Sequence, residues 1–416
     1  MSMILRLSLV LVLPWLTACD WDWGSEKSRR DQDPIVQEGP DYWPTSAWQS
    51  VDPVLQGFAA NALDALAEDA EAALPGLTSL MIIRNGYVVH ESYHTPEGSA
   101  EEIGPETKHN VWSVTKSVSS LTTGAALQNG LITVSDLDLT TNDFFADMMA
   151  SYEADDGRRD IRFRDVLQMR SGLSWSEAKE LITFTVFHIY LPDPSCSDDD
   201  TLTICSLLRR PLAHAPGTVW NYNTYDSYLL SAFFYHLTDY SLSDYARQFL
   251  LAPIGITLTE EDWAYWPSTE TNNRYTYGGG FSQYRTQDIA RIGMLVLHRG
   301  QWDGQQLVAP EWFDLSLEPI GEGSVMQFDG TGNALPEPAA ADISYGMQWW
   351  TRTGPSFSGP ESITARGLGG QYLMIFPEHD LIAVATHAYE LGETVPDRTT
   401  GFVDFLQSQV IDQIVD

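Results

Sequence analysis

Lysine is nearly missing from this 416-residue chain, which carries only Lys27, Lys108, Lys116 and Lys179. Positive charge is short as a whole: 23 Lys+Arg stand against 57 Asp+Glu, for a net charge of -34. So acidic a chain lacks the basic surface that phosphate binding needs, and nucleic acid is excluded as a partner. The acidic excess itself describes a well-solvated surface and says little about fold. Cysteine is scarce too, with only Cys19, Cys196 and Cys205, and no histidine is placed to pair with one for cysteine catalysis. What the chain does have is apolar material. At 43% hydrophobic it can bury a real core, which excludes global disorder, and its length suits one large domain or two ordinary ones.

The N-terminus reads as an export signal. Arg6 is a short basic region, and the apolar run Leu7–Leu16 is too short to span a bilayer. It ends in Leu16-Thr17-Ala18-Cys19, which resembles the lipobox of bacterial lipoproteins. That resemblance implies a signal peptide over residues 1–19 and lipidation of Cys19. It also implies an exported lipoprotein held at the periplasmic face of a membrane or at the cell surface. The alternative is an ordinary cleaved signal. Residues 20–45 are charged, spotted with tryptophan and without periodicity, and read as a flexible tether. In an exported protein Cys196 and Cys205 are expected to form a local disulfide across the polar loop Ser197–Asp200, with two unpaired thiols as the alternative.

Beyond the tether, Asp52-Pro53 reads as a helix start. Leu55, Phe58, Ala62 and Leu66 continue it at helical spacing to about Leu74. Leu77–Ile83 and Tyr87–Tyr93 are strand-like and flank Asn85-Gly86, a hairpin signal. The second run contains His90-Glu91-Ser92-Tyr93-His94, the letters of a zinc-protease motif. That chemistry needs a helix. On a strand, residues four apart lie about 13 Å apart, so no metal site is expected here. Helices are expected over Ser117–Leu131, Tyr225–Leu237 and Thr286–Leu297. Strands return at Met347–Thr351, Tyr372–Phe376 and Leu381–Thr386, and Phe402, Leu406, Val410 and Ile414 mark a last helix. The order suggests an α+β sheet domain over residues 46–416, interrupted by a helical subdomain at about 117–270.

The chemistry sits in Ser113-Val114-Thr115-Lys116. A serine hydroxyl needs a neighbour to take its proton, and three residues along a helix puts Ser113 and Lys116 on one face. Burial would let the lysine act as that base. Ser176-Glu177-Ala178-Lys179 has the same letters, so context must separate the two. Three further segments follow in order: Pro216-Gly217-x4-Tyr222, then Gly278-Gly279-Gly280 ahead of Thr286-x-x-Asp288-Ile289-Ala290-Arg291, then Gly367-Leu368-Gly369-Gly370-Gln371 before a strand. Together they resemble the serine β-lactamase/penicillin-binding-protein superfamily, in its class C-like branch with esterases and 6-aminohexanoate-dimer hydrolases. The likeness runs from about Trp48 to Val415.

That resemblance implies a β-lactamase/transpeptidase-like fold, an antiparallel sheet flanked by helices with an inserted all-helical domain. It makes Ser113 the acylated nucleophile, with Lys116 and Tyr222 sharing acid and base work. The backbone N–H groups of Ser113 and Leu368 become the oxyanion hole, and no cofactor is implied. Trp112, Thr224, Arg366, Gly367 and Gly369 become substrate contacts. Two departures matter. Thr224 stands where penicillin-recognising members carry asparagine, and Ala365 where they carry a cation. Both point away from β-lactams and toward a small ester or linear amide. Trp112, Trp220, Tyr225, Trp349 and Trp350 flank the motifs and suggest an apolar substrate group, with core packing as the alternative for each. The rival readings are a β-lactamase or DD-peptidase, a non-catalytic binder on the same fold, and more distantly a metalloprotease.

Overall fold

The computed structural model describes residues 42–175, 204, 207–263, 265, 275–320, 344–352, 361–389 and 398–415. Cys19, Cys196, Cys205 and the Ser176–Lys179 copy lie outside the described residues.

Asn85-Gly86 makes the hairpin that its letters announce. β1 (Leu77–Arg84) and β2 (Tyr87–Tyr93) pair antiparallel. Both turn residues take positive φ, 50° and 81°, the geometry that lets a two-residue turn follow the twist of its strands. The other strands of this sheet are β3 (Ser344–Tyr345), β4 (Trp350–Arg352), β5 (Ser362–Gly367), β6 (Gln371–Phe376) and β7 (Leu381–His387). Their spatial order is β2-β1-β7-β6-β5-β4-β3, and every neighbouring pair is antiparallel. The β1–β7 pairing sets Leu80 opposite Ala385, so the N- and C-terminal strands close around everything inserted between β2 and β3.

Both faces of the sheet are covered. The helices that cover it and position the site are α1 (Leu66–Ala73), α2 (Val114–Gln128), α3 (Phe163–Leu167), α4 (Thr224–Thr238), α5 (Thr286–Leu297) and α6 (Arg398–Gln409). Alternation along the strands sorts the side chains. Leu80, Ile82, Tyr372 and Met374 pack with Leu66, Ala70, Phe402 and Leu406 of α1 and α6. Met81, Ile83, Leu373 and Ile375 pack with Val118, Leu121, Ile289 and Ile292 of α2 and α5. Each such side chain removed from water contributes about 1.5–3 kcal/mol. The molecule is an α+β protein with a large antiparallel sheet between helices, as the sequence suggested.

Several local expectations change. The helix expected over Asp52–Leu74 is broken. Asp52 does cap, accepting from Val54 N at 3.0 Å, but only for the 3-10 turn Pro53–Gln56. Gly57 ends that turn at φ 76°, Phe58 bridges to Ile414, and Leu55, counted in the apolar stripe, is 73% exposed. The strand expected over Met347–Thr351 begins only at Trp350, after Gln348 turns the chain at φ 68°. Its amide is buried and donates to Val166 O and Leu167 O of α3 at 3.2 and 2.9 Å, so a polar anchor overrides the apolar pattern. The glycine-rich entry to a strand contains a strand of its own, β5. The end of the expected tether is docked. Tyr42 Oη donates to Gly86 O at 3.0 Å, and Pro44 O accepts from Arg291 Nε at 2.7 Å. Among the described residues no helix is long and apolar enough to cross a membrane.

Candidate active site

The site is built where α2 begins. Trp112 enters that helix at φ 47°, a conformation that costs a bulky residue about 1–3 kcal/mol and calls for a local explanation. The strain is held by hydrogen bonds on both sides. Trp112 N donates to Asn110 Oδ1 at 3.1 Å, and Thr115 Oγ1 donates to Trp112 O at 2.6 Å. The effect is to set Ser113 at the mouth of the helix, one residue before Val114.

One turn on, Lys116 is buried, with 1% exposure. Its Nζ donates to Ser113 Oγ at 3.0 Å, Thr224 Oγ1 at 3.1 Å and Gly279 O at 2.8 Å. These three oxygens are uncharged and come from three segments: the helix mouth, the start of α4 and the glycine run. Gly278 must be glycine for the run to deliver this carbonyl. A Cβ on Gly278 would fall 2.3 Å from Ser227 O of α4, inside any real contact distance. Polar residues of α2 hold the run in return. Ser119 Oγ donates to Gly278 O at 2.7 Å, and Thr115 Oγ1 meets Ser282 Oγ at 2.6 Å.

Tyr222 lies on the same side. Lys116 Nζ is 4.9 Å from its ring centroid. The following residues explain how the chain holds it. Asn223 caps α4, accepting from Tyr225 N at 2.9 Å, and its Nδ2 donates to buried Asp226 at 2.9 Å. Asn221 N donates to Met169 O at 2.9 Å, which docks the segment on the Met169-Arg170-Ser171-Gly172 turn. Thr224, expected as a substrate contact, is 7% exposed and turns its hydroxyl to Lys116.

The last part of the site is the end of β5. A Cβ on Gly367 would fall 2.2 Å from Val111 O, so glycine alone lets this strand end against the turn that leads into Ser113. Leu368 follows directly, in the turn to Gly370. Gly370 O meets His387 Nδ1 at 2.6 Å, and Gln371 Nε2 donates to His387 O at 2.9 Å, which braces that turn from β7. Gly369, at φ 80°, lies against Tyr389, where a Cβ would fall 2.4 Å from Tyr389 Cβ. Arg366 Cζ sits 5.1 Å over the Trp350 ring.

The structure therefore brings Ser113, Lys116, Tyr222 and Thr224 together, with the end of β5 alongside the helix mouth. The aromatic residues divide. Trp220, Tyr225 and Trp349 are buried core, while Trp112 and Trp350 are part-exposed. Sequence reading missed Asn110, Gly279 O, Phe281 and Tyr389. The glycine run signalled Gly279. Phe281, directly after the glycine run, and Tyr389 pack on Trp112 at 5.7 and 5.9 Å, and nothing in the local sequence marks Tyr389. The Asp288 and Arg291 of the motif opening α5 prove structural: they form a buried pair at 3.1 Å that also holds Pro44.

His90-Glu91-Ser92-Tyr93 lies on β2, the edge of the sheet four strands from β5, and His94 follows it directly. The histidines and Glu91 serve opposite sides. His94 Nδ1 lies 3.5 Å from Glu71 of α1, and Glu91 accepts from Gln287 of α5 at 2.9 Å. Among the described residues no group of three or more His, Cys, Asp or Glu side chains could hold a metal ion.

The profile of the family described as Beta-lactamase matches residues 60–400. No curated protein matches the chain. Among solved structures it is similar to a protein from Bacillus anthracis named as a candidate 6-aminohexanoate-dimer hydrolase. The identity is 18%, over 91% of this chain and 89% of that one, with a TM-score of 0.61. It is also similar to a penicillin-binding protein homologue from Caulobacter crescentus, at 15% identity over 85% and 99% with a TM-score of 0.59. A family VIII carboxylesterase is similar at 15% identity over 85% and 99%, with a TM-score of 0.57. At these identities the structural likeness speaks to fold.

Proposed function

The chain belongs to the Beta-lactamase family, and within it we propose a serine hydrolase that cleaves a small ester or linear amide through an acyl-enzyme on Ser113. The observation that carries this reading is Lys116: a buried amine 3.0 Å from the Ser113 hydroxyl. A buried amine gives up its proton more readily than an exposed one, and a neutral amine can accept the serine's. In the proposed cycle Ser113 Oγ attacks the carbonyl carbon as Lys116, assisted by Tyr222, removes its proton. The backbone N–H groups of Ser113 and Leu368 receive the developing oxyanion. The proton passes to the leaving alcohol or amine, and water then attacks the acyl-enzyme by the same steps in reverse.

The ester or amide preference rests on Ala365. It is fully buried in the core and places no cation where penicillin-recognising members hold a carboxylate. Thr224, in the position of their asparagine, spends its oxygen on Lys116. The part-exposed Trp112 and Trp350 favour an apolar acyl or alkyl group. Lipidation at Cys19 and a periplasmic or cell-surface location belong to the same proposal, and labelling by an alkyne fatty acid should be lost in Cys19→Ser.

The test is a fluorophosphonate probe with parallel assays on a p-nitrophenyl ester and a chromogenic cephalosporin. Wild type should label and turn over the ester faster than the cephalosporin, and Ser113→Ala should do neither. Equal labelling of Ser113→Ala would sink the nucleophile assignment. Preferential cephalosporin turnover would favour the β-lactamase reading. No turnover of any substrate, with an inert Ser113, would leave a binding protein.

A further inference from the structure

Tyr222 is not held by the polypeptide alone. Its ring stacks on Trp350, with centroids 5.6 Å apart and planes 25° from parallel. Lys116 Nζ sits 4.9 Å from the Tyr222 ring centroid, and Arg366 Cζ sits 5.1 Å from that of Trp350. The four groups make a continuous stack of amine, phenol, indole and guanidinium. The register explains why. Trp350 of β4 lies opposite Thr364 of β5, which puts Arg366 diagonally across from it, within reach of a long side chain. Tyr345, edge-on to Trp350 at 4.9 Å and 83°, and Trp220, at 5.9 Å and 69°, wall the indole in.

We propose that Arg366 and Trp350 are positioning residues for Tyr222: Trp350 fixes the plane of the phenol, and the Arg366 guanidinium fixes Trp350 and biases the phenol toward its ionised form. The proposal rests on the reading of Tyr222 as an acid-base group. Planar guanidinium on indole is a favourable contact that lysine reproduces less well. A fixed positive charge about 10 Å along the stack stabilises an anion there, and equally disfavours an ammonium on Lys116. Both effects lower the pH at which the site becomes active, so their sign is the same whichever group is the base. The other charged or titratable groups on the described elements around the stack include Tyr225, Asp226 and Tyr228 from α4, Arg170 from the preceding turn, Tyr345 from β3 and Arg352 from β4. All are unchanged in the variants below.

The experiment compares Arg366→Gln, Arg366→Lys, Trp350→Ala and Trp350→Phe with wild type, each checked for an unchanged melting profile. Tyrosine labelled at the ring carbon bearing oxygen reports the Tyr222 titration by NMR, with the signal assigned by Tyr222→Phe. In Arg366→Gln that titration should move up by about one pH unit or less. The acid limb of kcat/KM on a neutral p-nitrophenyl ester should move the same way. The kcat at neutral pH should fall by up to about tenfold, since one unit is tenfold in the reactive fraction, with KM unchanged. Arg366→Lys should return the limb most of the way. Trp350→Phe should keep much of kcat, and Trp350→Ala should lose it. An unmoved Tyr222 titration in Arg366→Gln overturns the proposal. So does a raised KM confined to carboxylate-bearing esters, which would make Arg366 a substrate contact. The NMR arm needs no turnover, so a protein inert to esters would sink the hydrolase reading and still decide this one.

Discussion

Two short stretches of this chain match catalytic patterns letter for letter, and the fold treats them oppositely. Ser113-x-x-Lys116 opens a buried helix, where a spacing of three stacks the side chains and leaves Nζ 3.0 Å from Oγ. His90-Glu91-x-x-His94 lies on β2, where the period is two. There the histidines flank Ser92, whose Oγ lies 3.1 Å from the Nε2 of each, and the glutamate turns to α5. The same kind of pattern brings a hydroxyl and a buried amine into contact in one place and makes a row of strand side chains in the other. A motif carries chemistry only with the backbone period that its spacing assumes.

The contrast is broken most directly by mutating both stretches. Ser113→Ala or Lys116→Ala should lower ester turnover by at least about 10³-fold, as removal of a nucleophile or its base generally does. His90→Ala and His94→Ala should leave it unchanged, as should dialysis against a chelator. Loss of turnover in either histidine variant, with folding intact, would restore the second stretch as a catalytic one.

How much could be read beforehand follows the same division. The Asn85-Gly86 hairpin, α4 and α5 were legible because each has a complete local signal, a turn dipeptide or an apolar stripe. The Ser113–Lys116 pair and its order relative to Tyr222 and Gly367 were legible as a pattern. What was illegible depends on distant partners. Gln348 breaks an apolar run because α3 offers its amide two carbonyls. The Asp52 helix stops because Phe58 is drawn to Ile414, at the other end of the chain. Tyr389 joins Trp112 from beyond β7, with nothing in its neighbourhood to announce it.

The supports of the first stretch should matter in graded order. Gly367→Ala places a carbon 2.2 Å from Val111 O and must push the end of β5 from the turn that leads into Ser113. If Leu368 supplies an oxyanion donor, kcat should fall about 10²-fold with KM little changed. Wild-type kcat in this variant would detach β5 from the chemistry. Thr224→Val keeps the shape and removes one of the acceptors of Lys116 Nζ. A buried donor that loses a partner costs about 1–3 kcal/mol, so kcat should fall about tenfold in a protein that still folds. A fall in melting temperature with kcat intact would make Thr224 a packing residue only.

The smallest effect belongs to the second stretch and shows in stability. Burial, aided by the neighbouring His94, lowers the pKa of His90 from 6.5 to about 4. The unfolded chain therefore takes up this proton near pH 6.5, while the native chain resists it until about pH 4. Between those values the unfolded state binds more protons, so stability rises with pH. The contribution of His90 is present in full above pH 6.5 and is lost as the pH falls toward 4. His109 and His298 are lowered to about 4 by burial alone and act in the same sense. The melting temperature of wild type should thus drop between pH 7.5 and 5. In His90→Gln the drop should be smaller but not abolished, because His109 and His298 remain. Ester turnover at pH 7.5 should be the same in both proteins. An identical acid sensitivity in His90→Gln would mean that the half-buried row on β2 carries no titrating load, and the two stretches would then differ in kind of chemistry without this one contributing to pH-dependent stability.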